Sequence, residues 1–159
     1  MDSPATLGHV ASLHLHPAKG GEPLLPVELM HLVAGQGIAE DSRYFNRGSR
    51  RQVTLIEREQ ITALAETLGV GTLAPGTVRS NIETTDVNLH RLMGERVQVG
   101  EAVLDFYAPR TPCQKMDTLC QGLRELMADG HQGVLATVVR SGVVRVGDPI
   151  QLANLEATG

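Results

Sequence analysis

Glycine and proline divide the chain into short segments, and most of these segments alternate apolar and polar residues in the way that is typical of β-strands. The chain has 17 Gly and 8 Pro but only two Phe and two Tyr, which indicates many turns and an aliphatic core. HVASLHLH, QVTLI and AVLDFYA are three such segments. We therefore predict about eight short strands joined by turns.

Two segments have helical spacing instead. In EREQITALAETLG, residues 57–69, apolar residues recur every three or four positions and Gly69 is placed to cap the helix. The second segment is TPCQKMDTLCQGLRELMADG, residues 111–130. Two main helices among many short strands predict an α+β, mostly β fold of the β-barrel type, and they do not favour a parallel sheet built from βαβ units. A length of 159 residues fits a single domain, 1–159.

Further elements follow from local patterns. GTVRSNIETT predicts a strand from Val78 to Glu83, and VNLHRLMG predicts a short helical turn that ends at Gly94. ERVQVG and AVLDFYA are expected to pair as a hairpin, and the C-terminal segment is expected to form strands that turn at 141–142 and 147–148.

Charge and hydropathy exclude some classes of function. The formal net charge is -4, which disfavours a general nucleic-acid binder. No apolar run is long enough for a membrane span, and the N-terminus lacks the basic and apolar pattern of a secretory signal. We therefore expect a cytoplasmic protein that binds neither nucleic acid nor membrane.

Cys113 stands at the predicted start of the second helix. Thr111 can cap this helix and Pro112 suits its first position. Because backbone N–H groups and the helix dipole favour negative charge there, and Arg110 lies just upstream, the thiol has the setting of a thiolate. It could be a nucleophile, a sulfur carrier or a soft metal ligand, or a partly buried, inert cysteine.

The other cysteine and two histidines give weaker site signals. Cys120 falls in the apolar stripe of the same helix and reads as a small hydrophobic residue; a spacing of seven residues is too wide for a disulfide with Cys113. His14 and His16 share one face of a predicted strand, a weak metal signal because no further ligands accompany them nearby. A metal-free thiol enzyme would need a histidine base, and none is adjacent to Cys113 in the sequence.

Three elements of the sequence resemble the MOSC domain, which occurs at the C-terminus of molybdenum-cofactor sulfurases and in small stand-alone proteins. They are RSNI (79–82), RTPC (110–113) and GVVRVGD (142–148). The similarity runs from about 27 to 152 in the order and spacing of these elements, and it implies a strand-rich barrel. It also implies binding of the molybdenum cofactor, which carries a pterin, a dithiolene and a phosphate.

The resemblance assigns roles to individual residues. Cys113 would carry sulfur or bind molybdenum as a thiolate, and the cofactor pocket would be lined by Arg43, Arg79, Asn81, Arg110 and Thr111. Family members commonly have Gly-Asp-Arg-His in an early loop, whereas this chain has Glu-Asp-Ser-Arg at 40–43. The arginine is retained but the histidine is absent, so the resemblance does not carry any role of that histidine over to this chain.

Two functions follow from the resemblance. The first is a molybdenum-cofactor protein that delivers sulfur or reduces N-hydroxylated compounds, served by a sulfurtransferase or an electron-donor protein. The alternative is a non-catalytic binding or scaffold module that retains the fold, which the altered loop favours. Pyridoxal phosphate is not expected, because it belongs to a separate domain of larger members and this chain has only Lys19 and Lys115 for a Schiff base.

Overall fold

The computed structural model describes residues 6–17, 24–110 and 133–153. The predicted second helix, with Thr111, Cys113 and Cys120, lies outside the described residues. Within them the chain forms eleven strands, one α-helix and one 3-10 turn. These are β1 (Gly8–Leu15), β2 (Leu25–Val27), β3 (Leu29–Val33), β4 (Gly37–Ile38), β5 (Val53–Glu57), α1 (Arg58–Leu68), β6 (Ile82–Thr85), the 3-10 turn (Leu89–Leu92), β7 (Arg96–Val99), β8 (Ala102–Pro109), β9 (Val134–Arg140), β10 (Gly142–Arg145) and β11 (Pro149–Leu152).

Seven of the strands close into a barrel. Their order is β11-β7-β8-β9-β5-β6-β1, and β1 pairs back onto β11. All neighbours in the barrel are antiparallel except β5 and β6. The predicted mostly β, barrel-type fold is therefore confirmed, as are the β7–β8 hairpin and the final strands.

The remaining strands extend this barrel and share its core. Strand β2 pairs with β1, while β3, β4 and β10 form a separate antiparallel sheet in the order β10-β3-β4. Phe106 and Leu104 of the barrel belong to one apolar cluster with Met30, Leu32 and Val144 of the small sheet. The two sheets thus bury a single, largely aliphatic interior.

Helix α1 connects β5 to β6 and makes them a parallel pair. One βαβ unit is therefore built into an otherwise antiparallel barrel, which the sequence did not indicate. Ile61, Leu64 and Ala65 face inward from α1 and pack with residues that include Val78. The helix ends at Gly69, whose φ of 70° and N–H bonds to two carbonyls of the last turn form the expected cap. None of the described helices is long and apolar enough to span a membrane.

The predicted strand from Val78 to Glu83 is wrong over its first four residues. Strand β6 begins only at Ile82, and the residues before it form a turn. Arg79 has φ of 61°, a left-handed conformation that an extended strand does not accommodate. This turn, residues 76–81, carries most of the candidate site and is called the arginine turn below.

Candidate functional site

Strand register brings three polar residues together where β6 begins. Ile82 pairs with Leu13 of β1 and with Leu55 of β5. Because β1 runs antiparallel to β6 and β5 runs parallel to it, Asn81, the residue just before β6, lies beside His14 of β1 and Thr54 of β5. All three residues are buried.

Asn81 uses its amide group entirely inside the protein. Its Oδ1 accepts hydrogen bonds from the N–H and hydroxyl of Thr54, both at 3.1 Å. Its Nδ2 donates to the carbonyl of His14 and to Oδ2 of Asp41, again at 3.1 Å. Asn81 therefore joins β1, β5, β6 and the loop after β4, and its side chain fixes their relative positions.

Arg110 reaches the arginine turn from the end of β8. Its Nη1 donates to the carbonyl of Val78 at 2.9 Å and to the hydroxyl of Ser80 at 3.1 Å, and its Nη2 donates to the carbonyl of Arg79 at 3.0 Å. Arg110 is 3% exposed and Arg79 is 6% exposed. Two of the motif elements, 31 residues apart in the sequence, thus meet at one buried turn.

The carboxylate of Asp41 holds a histidine beside this turn. Oδ2 of Asp41 accepts from Nδ1 of His16 at 2.8 Å and from Nδ2 of Asn81. Both partners of this pair are buried. Burial alone would raise the pKa of Asp41, but the hydrogen bonds and the charge of His16, with the bond from Asn81, hold that pKa below its usual value.

An aromatic residue of the same loop contacts the histidine ring. The rings of His16 and Tyr44 meet edge to face, with centroids 4.6 Å apart. The guanidinium carbons of Arg43 and Arg51 lie 5.8 and 5.7 Å from the centroid of the Tyr44 ring. Arg43 is therefore linked to the site through Tyr44, whereas Arg79, Asn81 and Arg110 belong to one hydrogen-bonded group.

His14 adds a second buried imidazole to this group. Its Nδ1 bonds to the carbonyl of Ser80 at 2.9 Å. Since a carbonyl only accepts, Nδ1 carries the proton and Nε2 has the lone pair. Nε2 is buried without a hydrogen-bond partner.

The buried polar residues described above are connected to one another by hydrogen bonds or by the arginine turn, and we call them the polar network. Its members are His14, His16, Asp41, Thr54, Arg79, Ser80, Asn81 and Arg110.

The sequence missed the His16–Asp41 pair. The sequence pattern presents His16 only as a weak candidate for a metal ligand, and no cluster of three or more metal-ligating side chains occurs among the described residues. In the sequence, Asp41 stands out only as part of the altered loop. The two residues are 25 positions apart, and nothing in the sequence pairs them. The positions of Thr111 and Cys113 lie outside the described ranges, and the assigned roles of all six site residues stay predictions.

The fold and the polar network together define a β-barrel domain with a buried arginine–asparagine–aspartate group. The chain matches the MOSC domain over residues 42–151, which is more than half of its length. It therefore belongs to the MOSC domain family. No curated protein sequence matches it significantly.

Solved structures agree with this fold. The YuaD protein from Bacillus subtilis superimposes with a TM-score of 0.77 at 21% identity, covering 94% of this chain and 97% of that one. YiiM from Geobacillus stearothermophilus gives a TM-score of 0.76 at 19% identity, covering 92% of this chain and 75% of that one. YiiM from Escherichia coli gives 0.69 at 21% identity, with 92% and 70% covered. At these identities the likeness establishes the fold alone.

Proposed function

We propose that this MOSC protein binds the molybdenum cofactor and that Cys113 serves it as a sulfur carrier or as a thiolate ligand of molybdenum. One observation carries the proposal. The RSNI element and the start of the RTPC element meet at the arginine turn, where the Arg110 guanidinium binds the carbonyls of Val78 and Arg79. Cys113 follows three residues later in the sequence.

The residues present fit an anionic cofactor. The site holds two buried guanidinium groups, those of Arg79 and Arg110, beside one turn, and guanidinium is the side-chain group best suited to phosphate. Arg79 and Arg110 would supply positive charge toward the cofactor phosphate, and Cys113 would supply the soft ligand that molybdenum prefers. When bound, the cofactor would contribute two-electron and dithiolene sulfur chemistry.

The proposal has two forms, which differ in the partner. As a sulfur carrier, Cys113 would receive sulfur from a sulfurtransferase. As a thiolate on molybdenum, it would support the reduction of N-hydroxylated compounds with electrons from a donor protein. Both forms place the protein in a reducing compartment, the cytoplasm, where the thiol stays free.

One set of contacts favours the non-catalytic alternative. The side-chain amide of Asn81 and both terminal nitrogens of Arg110 are used on protein groups. The guanidinium of Arg43, the arginine of the altered loop, lies 5.8 Å from the centroid of the Tyr44 ring. A module that had lost its chemistry would keep these structural contacts, so this alternative is tested beside the first.

Production of the protein in a host that makes the cofactor tests the proposal. We expect molybdenum to copurify near one equivalent per chain, or Cys113 to carry one additional sulfur atom that a thiol reductant removes. Molybdenum analysis and intact-mass spectrometry measure these two quantities. Cys113→Ala should abolish both signals because it removes the only proposed sulfur ligand.

Cys120→Ala is the matched control, since it removes the other thiol and should leave molybdenum content and sulfur loading unchanged. Absence of both signals in the unsubstituted protein would support the scaffold alternative. Equal loss in both cysteine variants would show that the effect is not specific to Cys113.

A further inference from the structure

The loop between β4 and β5 concentrates positive charge on an acidic protein. Four of the chain's 14 Lys and Arg residues fall within residues 43–51, and residues 42–56 contain no Asp or Glu. The rest of the chain then has ten cationic and 18 acidic residues. One short loop is therefore strongly cationic, whereas the remainder of the chain carries a large excess of negative charge.

Two tyrosines order these arginines into a continuous surface. The guanidinium carbon of Arg50 lies over the ring of Tyr107 of β8, 4.1 Å from its centroid. Those of Arg51 and Arg43 lie 5.7 and 5.8 Å from the centroid of the Tyr44 ring, within the range of cation–π attraction. Burial raises the pKa of Tyr107, and the charges of Arg50 and Arg51 act against this rise, so Arg51 lies near both rings. We call Arg43, Tyr44, Arg47, Arg50, Arg51 and Tyr107 the cationic strip.

The backbone of this loop is held to the barrel where it carries the strip. The hydroxyl of Thr137 on β9 donates to the carbonyl of Arg50 at 2.9 Å. The side-chain amide of Gln52 donates to the carbonyl of Ser49 and accepts from the N–H of Val138, both at 2.9 Å. The barrel therefore fixes the positions from which the exposed arginine side chains extend.

The arginines of the strip have no carboxylate partner within the described part of the chain. None of the ion pairs found there involves one of them, and Asp105 of the neighbouring strand β8 does not pair with them. Arg47 bonds to the carbonyls of residues 42 and 43, but no hydrogen bond among the described residues uses the guanidinium groups of Arg50 and Arg51. A guanidinium held against an aromatic ring keeps the N–H groups at its edge in the planar fork that suits a carboxylate.

We propose that the cationic strip is the docking surface for a partner protein that presents a cluster of carboxylates. The strip adjoins the polar network, because the ring of Tyr44 contacts that of His16 and His16 pairs with Asp41. A protein docked on the strip therefore lies beside the polar network. That this partner donates sulfur or electrons rests on the proposed function, whereas the docking itself does not.

An acidic protein face fits the strip better than a nucleic acid does. Proteins that bind single strands without sequence preference offer open aromatic faces on which bases stack, and here a guanidinium group lies over the ring of Tyr107. A nucleic acid also continues as a polyanion beyond so short a loop, where it would meet the negative remainder of the chain. A carboxylate cluster of limited extent meets the strip alone.

Fluorescence anisotropy of a labelled peptide of consecutive glutamates, added to the full chain, measures the docking. We expect saturable binding in about 0.01 M salt that weakens strongly in about 0.15 M salt, because the Debye length shortens from about 30 Å to about 8 Å. Arg50→Gln with Arg51→Gln should raise the Kd about tenfold, since it removes two exposed charge pairs. Neither substitution removes the backbone carbonyl that Thr137 binds.

Arg91→Gln with Arg96→Gln is the matched control. Both arginines are exposed and lie outside the strip, and the variant has the same net charge as the double variant of the strip. It should bind the glutamate peptide within about twofold of the native Kd, because exposed charges away from the docked peptide are screened. Thermal unfolding of both variants shows whether a weaker Kd reflects loss of the fold.

A second measurement uses the native protein alone and stands even if a variant does not fold. Tyr44 and Tyr107 are the chain's two tyrosines, so their ring resonances can be assigned by NMR. Addition of the glutamate peptide should shift the signals of both rings, because the guanidinium groups beside them take up the carboxylates. The ring signals of Phe106, which is fully buried in the barrel, should stay in place.

Several outcomes would overturn the inference. They are absence of peptide binding, equal losses of affinity in the two arginine variants, and tighter binding of an oligodeoxythymidylate of the same length through Arg50 and Arg51. The last outcome would assign the strip to nucleic acid.

The proposed function fails separately from this inference. A protein that binds the peptide through the strip but carries neither molybdenum nor sulfur would retain the docking surface and lose the proposed function. A protein that carries sulfur on Cys113 but does not bind the peptide would retain the proposed function and lose the docking surface.

Discussion

Asp41 illustrates what a buried charge requires in this barrel. Its side chain is 2% exposed, and an isolated carboxylate at such a position would take up a proton. Hydrogen bonds from Asn81 and His16 keep it ionised. The residue therefore has two functions, since it connects the loop after β4 to the strands and sets the tautomer of His16.

We expect Asp41→Asn to lower the free energy of unfolding by about 1–3 kcal/mol at pH 7, because it removes the charge that two buried donors face. The pKa of Asp41 is lower in the folded protein than in the unfolded chain. Its stabilising contribution is therefore complete above the unfolded pKa of about 3.9 and disappears as pH falls through the folded pKa. Urea unfolding at neutral and acidic pH should show the gap between variant and native protein closing below about pH 4.

Glu95→Gln, at an exposed position, is the control and should change little at either pH. A difference between Asp41→Asn and the native protein that stayed constant with pH would contradict the assignment of an ionised Asp41.

At the scale of elements, an ion pair between a partly exposed arginine and a buried glutamate attaches α1 to β6 and to the arginine turn. Arg58, the first residue of α1, donates to Oε1 of Glu83 at 2.9 Å. Glu83 is fully buried in β6 and its Oε2 accepts from the N–H of Gly76 at 2.7 Å. The βαβ unit and the start of the turn are thus held by one carboxylate.

We expect Arg58→Gln to destabilise the protein by about 3–5 kcal/mol, because it leaves the carboxylate of Glu83 buried without its cation. The double variant Arg58→Gln with Glu83→Gln should recover part of this loss, since it removes the stranded charge. Chemical unfolding of the single and double variants measures both values.

The exposed pair of Arg145 and Glu101, 3.5 Å apart, provides the control. Arg145→Gln should lower the free energy of unfolding by less than about 1 kcal/mol, because solvent screens this pair. If Arg58→Gln and Arg145→Gln lowered the free energy of unfolding equally, burial of the Glu83 carboxylate could not be the reason for the larger loss expected at Arg58.

For the whole molecule, the critical contact is the one that closes the barrel. Gly8 of β1 pairs with Ile150 of β11. A Cβ atom built on Gly8 would lie 2.3 Å from the carbonyl oxygen of Thr85 and 2.8 Å from Cβ of Val87. This position at the closing seam therefore requires glycine for space, because the end of β6 and the residues after it lie directly against β1.

We expect Gly8→Ala to lower the free energy of unfolding by about 1–3 kcal/mol and to speed hydrogen exchange at the seam. The reporting amides are those of Leu7 and Val10, which donate to Ile150 and Asp148. Gly71→Ala is the control. It strains a backbone with φ of 80°, but its Cβ atom would meet no atom within 4 Å. The seam amides should therefore keep their protection from hydrogen exchange relative to the other amides of the barrel. Unchanged seam exchange in Gly8→Ala would contradict this account.

Much of the fold could be predicted because it depends on local chemistry. The period of the apolar residues and Gly69 located α1, and the turn residues located the β7–β8 hairpin and the last strands. The parallel pairing of β5 and β6 and the left-handed Arg79 could not be predicted in this way. Both depend on contacts between distant parts of the chain, and Val78 packs against α1 where the sequence predicts a strand.

The residues of the candidate site could likewise be predicted only where a local motif marks them. The motif elements named Arg79, Asn81 and Arg110, and the structure brings these residues together. The pairing of His16 with Asp41 was beyond the sequence, because neither residue has a local pattern that marks it. By itself, the sequence determined the class of fold, since periodicity and turn chemistry act between near neighbours. Only the tertiary structure decided which polar residues meet, because closing a barrel places side chains from separate strands and loops in contact and forces each buried charge to find a partner.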